Sequence, residues 1–185
     1  MAYGWEGEKT RLVPLDKDRH LENCMRWVND PEVTEWLLIG DFPMTRLAEE
    51  EWFDRFCKGA PKDIVFAIET LDGEHLGTSG IHQIDFRHGT AKTGSLIGEI
   101  AQWDKGFGTD AALVRARYCF EVLGLRLLQS AVLGGNERSL RMQAKAGYKE
   151  CGRIPGKWWK RGAYRDEIVT FLDREGWLEA LGGKP

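Results

Sequence analysis

Two periodicities of apolar residues alternate along this chain and divide it into short strands and helices. Apolar runs rich in β-branched residues predict strands over residues 10–15, 63–70, 74–85, 90–98, 127–133, 148–154 and 164–172. Apolar residues at helical spacing predict helices over residues 16–29, 32–37, 45–56, 109–123 and 137–145. The pattern therefore mixes both element types throughout the chain.

Residues with strong positional preferences flank the predicted helices. Asp16, Thr45 and Asn136 stand where a helix N-cap is expected, because their side-chain oxygens can accept a hydrogen bond from a free backbone amide. Gly124 and Gly147 follow helical segments and suit the left-handed conformation that ends a helix. These signals predict where three of the helices begin and where two of them end.

The order of the elements predicts the fold class. A strand and helices precede a three-stranded meander with turns at residues 72–73 and 87–89, and a helix, a strand, a helix and two strands follow. One mixed, mostly antiparallel α/β (α+β) sheet with helices on both faces accommodates this order. The chain contains no internal repeat and no linker rich in glycine, serine or proline, so residues 1–185 are expected to form a single domain.

Charge and composition exclude several classes of function. The chain carries 26 Lys and Arg against 29 Asp and Glu, a net charge of -3, which gives no basic footprint for nucleic acid and slightly favours a cationic substrate. No segment is apolar enough to span a membrane, and residues 1–10 lack the pattern of a signal peptide, so a cytoplasmic protein is expected. The four cysteines are far apart and form neither a zinc motif nor a redox motif.

A glycine-bearing turn at residues 103–109 leads directly into the helix that begins near Thr109. Gly106 and Gly108 let the backbone approach a ligand, and the helix start adds free amides and a positive dipole end. The spacing matches neither the dinucleotide nor the nucleoside-triphosphate fingerprint. A phosphate site of a different kind is therefore predicted here.

Several motifs together resemble the GNAT family of acyl-CoA-dependent N-acetyltransferases. They are GSLIGE at 94–99, WDKGFGTDA at 103–111, NERS at 136–139 and KAGY at 145–148. WVNDPEV at 27–33 and RDE at 165–167 are similar to the Rim-type branch, which includes ribosomal-protein and spermidine N-acetyltransferases. The resemblance covers nearly the whole chain, with the motifs in the family's order.

The resemblance implies a sheet splayed at the strand 90–98 and a coenzyme A bound in the gap. The pyrophosphate would meet the amides between Lys105 and Thr109, and the thioester carbonyl would lie near the amides of Ile97 and Gly98. Gly98 is interpreted either as a bulge that lets the backbone approach the ligand or as a plain strand end. The predicted cofactor-binding residues are Ile97, Gly98, Trp103, Lys105, Gly106, Phe107, Gly108, Thr109, Asn136 and Ser139.

The implied reaction is direct attack of a neutral amine on acetyl-CoA, without a metal or a covalent enzyme intermediate. Many family members use a tyrosine as the acid for the departing thiolate, but Gln143 stands at that position, and Lys92 replaces an acidic residue that is common in the cofactor strand. Ser139 is the candidate hydroxyl for that role, although it also suits the first turn of a helix. A non-catalytic acyl-CoA-binding domain and a different acyl donor, its pocket shaped by Trp103 or Phe107, remain alternatives.

Glu99 and His82 are the candidate general bases, with ordered water as an alternative route for the proton. Trp36, Phe42 and Trp158 are predicted to bind the acceptor, which would be a small-molecule amine or a peptide N-terminus. The adjacent Trp158 and Trp159 cannot both point inward from a strand. At least one is therefore expected to face substrate, solvent or a second subunit, and a homodimer is one interpretation.

Overall fold

The computed structural model describes residues 5–59 and 62–182, in which seven strands and five α-helices form. The strands are β1 (Thr10–Pro14), β2 (Ile64–Thr70), β3 (His75–Asp85), β4 (Thr90–Ile97), β5 (Leu127–Leu133), β6 (Lys149–Lys160) and β7 (Ala163–Asp173). The helices are α1 (Lys17–Val28), α2 (Arg46–Cys57), α3 (Phe107–Arg117), α4 (Glu137–Lys145) and α5 (Arg174–Ala180). Within these described ranges, no helix has the length and apolar character needed to cross a bilayer.

All seven strands join one sheet in the order β1-β2-β3-β4-β5-β7-β6. Every pairing is antiparallel except that of β4 with β5, which is parallel. The connection between these two strands runs through α3, as a parallel pair requires a crossover. The predicted mixed and mostly antiparallel sheet is confirmed.

The sheet opens between β4 and β5. Their pairing ends at Lys92 and Gln129, although β4 continues to Ile97 and β5 to Leu133. Beyond that point β4 stays paired with β3, and β5 stays paired with β7. The two strands therefore diverge, which confirms the splayed sheet and leaves one edge of β4 without a strand partner.

The two faces of the sheet carry separate apolar cores. Phe66 of β2 belongs to the core that contains α3 residues such as Ala112, whereas its neighbour Val65 packs with Trp27 of α1 and Phe53 of α2. Successive side chains of a strand point to opposite faces. Helices α1 and α2 therefore cover one face, and α3 covers the other.

The capping predictions for α1, α2 and α4 are confirmed. Asp16, Thr45 and Asn136 each accept a hydrogen bond from a backbone amide in the first turn of the helix that follows. Gly147, with φ of 91°, follows the end of α4. These local signals were sufficient because a cap needs only its own helix.

Three segments differ from the predicted elements. Residues 32–37 form turns rather than a helix, since so short a segment gains too few hydrogen bonds to offset helix nucleation. The segment 155–162, which separates the strands predicted at 148–154 and 164–172, is largely the end of β6, which continues past a register shift between Ile154 and Trp158. The chain after β7 forms α5, capped by Asp173, where no helix was predicted.

Candidate functional site

A cavity of about 830 Å³ occupies the gap between β4 and β5. Leu96, which packs in the core beneath α1 and α2, and Ile97, which packs in the core beneath α3, both line it. The cavity therefore reaches both faces of the sheet. The splay creates this space because neither strand fills the other's hydrogen-bonding edge.

The N-terminus of α3 presents free backbone amides to this cavity. Gly106 occupies the N-cap position with φ of 90° and provides no side-chain cap, and the first amide bonded within the helix is that of Asp110, 3.0 Å from the Gly106 carbonyl. The amides of Phe107, Gly108 and Thr109 thus precede the helical ladder. All three residues line the cavity. This arrangement suits an anion.

The acidic residue in the first turn of α3 is directed away from those amides. The Asp110 carboxylate accepts hydrogen bonds from the backbone nitrogens of Glu8, Lys9 and Thr10 at 2.8–3.1 Å and from Thr10 Oγ1 at 2.6 Å. It anchors the helix start to the beginning of β1. The negative charge is therefore satisfied elsewhere and does not oppose an anion at the turn.

Cationic side chains of α4 also line the cavity. Arg138, Arg141 and Lys145 of α4 line it. The Arg138 guanidinium lies 4.1 Å from the centre of the Trp103 ring, and Trp103 Nε1 donates to the Ile97 carbonyl at 2.7 Å. Asp104 also lines this part of the cavity and forms an ion pair with Arg138 at 3.4 Å, which leaves Arg141 and Lys145 as the further cations there.

The open edge of β4 presents its peptide groups in alternation. Gly98 donates its amide to the Leu76 carbonyl at 2.9 Å, in register with the pairing of β3 and β4. Because the direction of peptide groups alternates along a strand, the groups of Ser95 and Ile97 point to the opposite edge, towards the gap. The Ile97 amide is therefore directed into the cavity.

Gly98 lies just beyond β4, where its amide and that of Glu99 both point to the Leu76 carbonyl, at 2.9 and 3.4 Å, the two-to-one pairing of a β-bulge. Its amide is engaged by Leu76, and a Cβ on Gly98 would lie 2.0 Å from Cδ2 of Trp27. The position requires glycine because the Trp27 ring packs directly against the backbone. Of the two amides predicted to face the thioester carbonyl, only that of Ile97 is directed towards the cavity.

Three other predicted site residues lie outside the cavity lining. Glu99 lies outside the lining and forms an ion pair with Arg26 at 3.0 Å. Phe42 is 85% exposed and does not line the cavity. Lys105 is exposed, lies outside the lining, and its ammonium donates to the Gln102 side chain.

His82 borders the cavity and is held by an acidic partner. Its Nδ1 lies 3.1 Å from Oδ1 of Asp63, and its Nε2 lies 2.2 Å from the position of a Cβ built on Gly80. The imidazole can lie over Gly80 only because that residue has no side chain. Gly80 and His82 are two residues apart in β3, so their side-chain positions lie on the same face of the sheet.

Asn136 and Ser139 both border the cavity at the start of α4. Asn136 Oδ1 accepts the Ser139 amide at 3.0 Å, which is the capping interaction expected for this pair. Gln143 is buried one turn further on. Its Nε2 donates to Ser130 Oγ at 2.9 Å and its Oε1 accepts from Thr170 Oγ1 at 2.6 Å. Gln143 therefore ties α4 to β5 and β7.

Two predicted aromatic residues, Trp36 and Trp158, do line the cavity. Trp158 Nε1 donates to Glu167 Oε2 at 2.9 Å, and Lys157 Nζ donates to Glu167 Oε1 at 2.6 Å. Burial opposes ionisation of Glu167, but these donors outweigh it and keep its pKa below the ordinary value. Trp159 is 61% exposed, as expected for one of two adjacent tryptophans.

Glu49 is a cavity residue that sequence reasoning missed. It lies on α2, is only 5% exposed and lines the cavity beside Cys24 and Trp52. Among the residues that the structure describes, none forms an ion pair or side-chain hydrogen bond with it, and burial raises its pKa. The sequence did contain a signal for this position. Glu49 is four residues before Phe53 and seven before Phe56, so its carboxylate lies on the apolar face of α2.

The described parts of the chain, residues 5–59 and 62–182, contain no group of three or more His, Cys, Asp and Glu residues that could hold a metal ion.

Comparison with known proteins identifies the family. Residues 9–149 match the model of the acetyltransferase (GNAT) domain. The uncharacterized N-acetyltransferase p20 of Bacillus licheniformis is 27% identical over 134 residues, which cover 71% of this chain and 74% of p20.

Two solved structures share the fold. The spermidine N-acetyltransferase of Vibrio cholerae, in complex with CoA and spermine, has a TM-score of 0.83 at 17% identity and covers 91% of this chain and 98% of its own. RimJ of Mycobacterium smegmatis, in complex with CoA-disulfide, has a TM-score of 0.79 at 20% identity, with coverage of 94% and 89%. Because the family model spans the chain from before β1 to the first residue of β6, this protein belongs to the GNAT acetyltransferase family.

Proposed function

We propose that this enzyme transfers an acetyl group from acetyl-CoA to the primary amine of a cationic acceptor by direct attack. The observation that carries the proposal is the single cavity through the splayed sheet. It joins the free amides at the start of α3 to a chamber lined by Glu49, Trp52 and His82 on the opposite face.

The donor half of the cavity fits coenzyme A. The amides of Phe107, Gly108 and Thr109 suit a pyrophosphate, and the cations of α4 add attraction for further phosphate charge. The free edge of β4 offers peptide groups for the amide-containing arm. When bound, acetyl-CoA supplies an activated acetyl thioester, and the Ile97 amide is the donor that would polarise its carbonyl.

The acceptor half fits a positively charged amine. Glu32 and Glu49 place carboxylates along the lining, and Trp36, Trp52 and Trp158 add aromatic faces, which attract cations. A polyamine or the N-terminus of a peptide matches this chemistry. The Vibrio cholerae neighbour, crystallised with spermine, makes polyamines the first acceptors to test.

Proton removal from the acceptor is assigned to His82. Its Nδ1 is held by Asp63, which leaves Nε2 on the side of Gly80, a cavity residue. A carboxylate on one ring nitrogen orients the imidazole and leaves the other nitrogen available to accept a proton. Ser139 is the hydroxyl available for the departing thiolate, since Gln143 cannot donate a proton in acid catalysis.

The test is release of free thiol from acetyl-CoA in the presence of polyamines, aminoglycosides, amino sugars and N-terminal peptides, with mass spectrometry of the products. Turnover with a cationic amine, and an acetylated product, are expected. Tight binding of coenzyme A with no turnover across the panel would overturn the proposal in favour of a non-catalytic acyl-CoA-binding domain.

A further inference from the structure

Arg115 is a buried cation without a counter-charge among the described residues. It lies on α3, is 3% exposed and lines the cavity. Its Nη1 donates to Ser79 Oγ at 3.0 Å, to the Gly94 carbonyl at 2.8 Å and to Ser95 Oγ. Its buried Nε has no acceptor, and no described carboxylate forms an ion pair with it.

Burial of this unpaired charge destabilises the folded protein when no ligand is bound. The guanidinium remains protonated at any physiological pH, so burial cannot be relieved by loss of the charge. Buried charges in proteins are normally paired, because neutral hydroxyl and carbonyl acceptors do not offset the loss of hydration. The cavity therefore offers a site for an anion beside Arg115.

The position of Arg115 indicates which part of a ligand that anion belongs to. Ser95 lies on the part of β4 that has separated from β5, and its side chain points to the α3 face, as does that of Ile97. Glu49 and the acceptor chamber lie at the other face. Arg115 is eight residues beyond Phe107, about 12 Å along the helix axis, which is too far from the helix start to neutralise a pyrophosphate there.

We propose that Arg115 binds a carboxylate on the acyl group of the donor, so that the enzyme accepts dicarboxylic monothioesters of the succinyl-CoA class as well as acetyl-CoA and binds them more tightly. This inference rests on the proposed function. In the transfer, the acceptor nitrogen forms a bond to the thioester carbonyl carbon and loses a proton. The carbon–sulfur bond breaks, the thiolate keeps the electron pair and is protonated, and the distal carboxylate is unchanged.

The test is calorimetric binding of coenzyme A, acetyl-CoA and succinyl-CoA without any acceptor. We expect the native protein to bind succinyl-CoA about tenfold or more tightly than acetyl-CoA, the fold-change of one charged hydrogen bond. Arg115→Met should abolish that preference and leave coenzyme A affinity unchanged. Arg117→Met is the matched control, because Arg117 is on the same helix but donates to the Glu6 carbonyl outside the cavity.

Equal binding of the two thioesters by the native protein would overturn the inference, and this comparison needs no variant. So would a preference that persists in Arg115→Met. A second experiment measures KM for acceptor amines with and without a carboxylate. If Arg115→Met raises KM only for the acceptors that carry a carboxylate, the anion belongs to the acceptor, and the assignment to the donor is overturned. Absence of thiol release with every donor would contradict the proposed function alone, since the binding comparison is independent of turnover.

Discussion

Nδ1 of His82 and Oδ1 of Asp63 lie 3.1 Å apart, with the imidazole resting against Gly80 at the wall of the cavity. The pair spans two strands, since Asp63 directly precedes β2 and His82 lies on β3. We therefore expect His82→Gln to lower kcat/KM for the acceptor by about 100-fold or more, as loss of a general base does. Steady-state thiol release measures the effect.

The matched control for this prediction is His88→Gln. His88 is exposed in the turn between β3 and β4 and does not line the cavity. Asp63→Asn should give a smaller loss than His82→Gln because the imidazole remains. If the His82 variant turns over at the native rate, the base is a different group or an ordered water.

Glu49 should contribute to acceptor binding and oppose stability. Burial raises the pKa of the Glu49 carboxyl, so the folded state holds the carboxyl proton more tightly than the unfolded chain does. As pH rises through the folded pKa, the buried carboxyl must ionise, and the free energy of unfolding falls. Glu49→Gln should therefore raise the free energy of unfolding at neutral pH. It should also raise KM for a cationic amine by about tenfold, the value of one charged contact.

Chemical denaturation and steady-state kinetics at neutral pH measure these two effects. Glu51→Gln is the control, because Glu51 is exposed on the same helix and lies outside the cavity. A Glu49 variant with native KM for every amine would exclude an acceptor role for this carboxylate.

Gly106 should control coenzyme affinity through its backbone conformation. Its φ of 90° at the start of α3 aims the free amides, and Ala at this position costs about 1 kcal/mol or more in that conformation. Gly106→Ala should weaken coenzyme A binding in calorimetry. Gly124→Ala is a matched control, because Gly124 has φ of 65° in open space and does not line the cavity. Equal binding by both variants would argue against the amide site.

Acid should destabilise the fold through His75. Burial, aided by the nearby His20, lowers the pKa of His75 to about 4. The unfolded chain takes up a proton below pH 6.5 while the folded state does not. The contribution of neutral His75 to the free energy of unfolding is thus fully present above pH 6.5. It is lost as pH falls towards the folded pKa of His75, by about 3 kcal/mol in all.

Urea denaturation between pH 7 and pH 4 measures this slope. Burial also lowers the pKa of His20, which adds to the effect in the same direction. His75→Gln should flatten the dependence, whereas His88→Gln should leave it unchanged. A native-like slope in His75→Gln would assign the acid sensitivity to other groups.

The four cysteines should separate into two classes. Burial raises the pKa of Cys24 and of Cys119 to about 12, which leaves almost no thiolate at neutral pH. Cys57 and Cys151 are exposed. Ellman's reagent should therefore modify two thiols rapidly in the native protein and all four after unfolding. Rapid modification of four thiols in the native state would contradict the burial of Cys24 and Cys119.

Local sequence was sufficient for most elements of the fold. The caps at Asp16, Thr45 and Asn136 and the glycine turn before α3 depend on interactions within a few residues, and each forms where it was predicted. Residues 32–37 were mispredicted because apolar spacing alone cannot distinguish a short helix from turns whose side chains are buried by distant elements.

The composition of the site depended on contacts between distant residues. Glu99 and His82 were equal candidates by sequence, yet Arg26 pairs with the first, and Asp63 orients the second towards the cavity. Glu49 and Arg115 are cavity residues on two different helices.

The sequence by itself determined the order of the seven strands and of four of the five α-helices, the anion-suited turn and the family, because these depend on periodicity and short motifs. The tertiary structure alone decided which charged groups are buried without partners and which are neutralised. That distinction depends on strand register, on the bulge after His82 and on the splay between β4 and β5, which bring together residues that no local pattern relates.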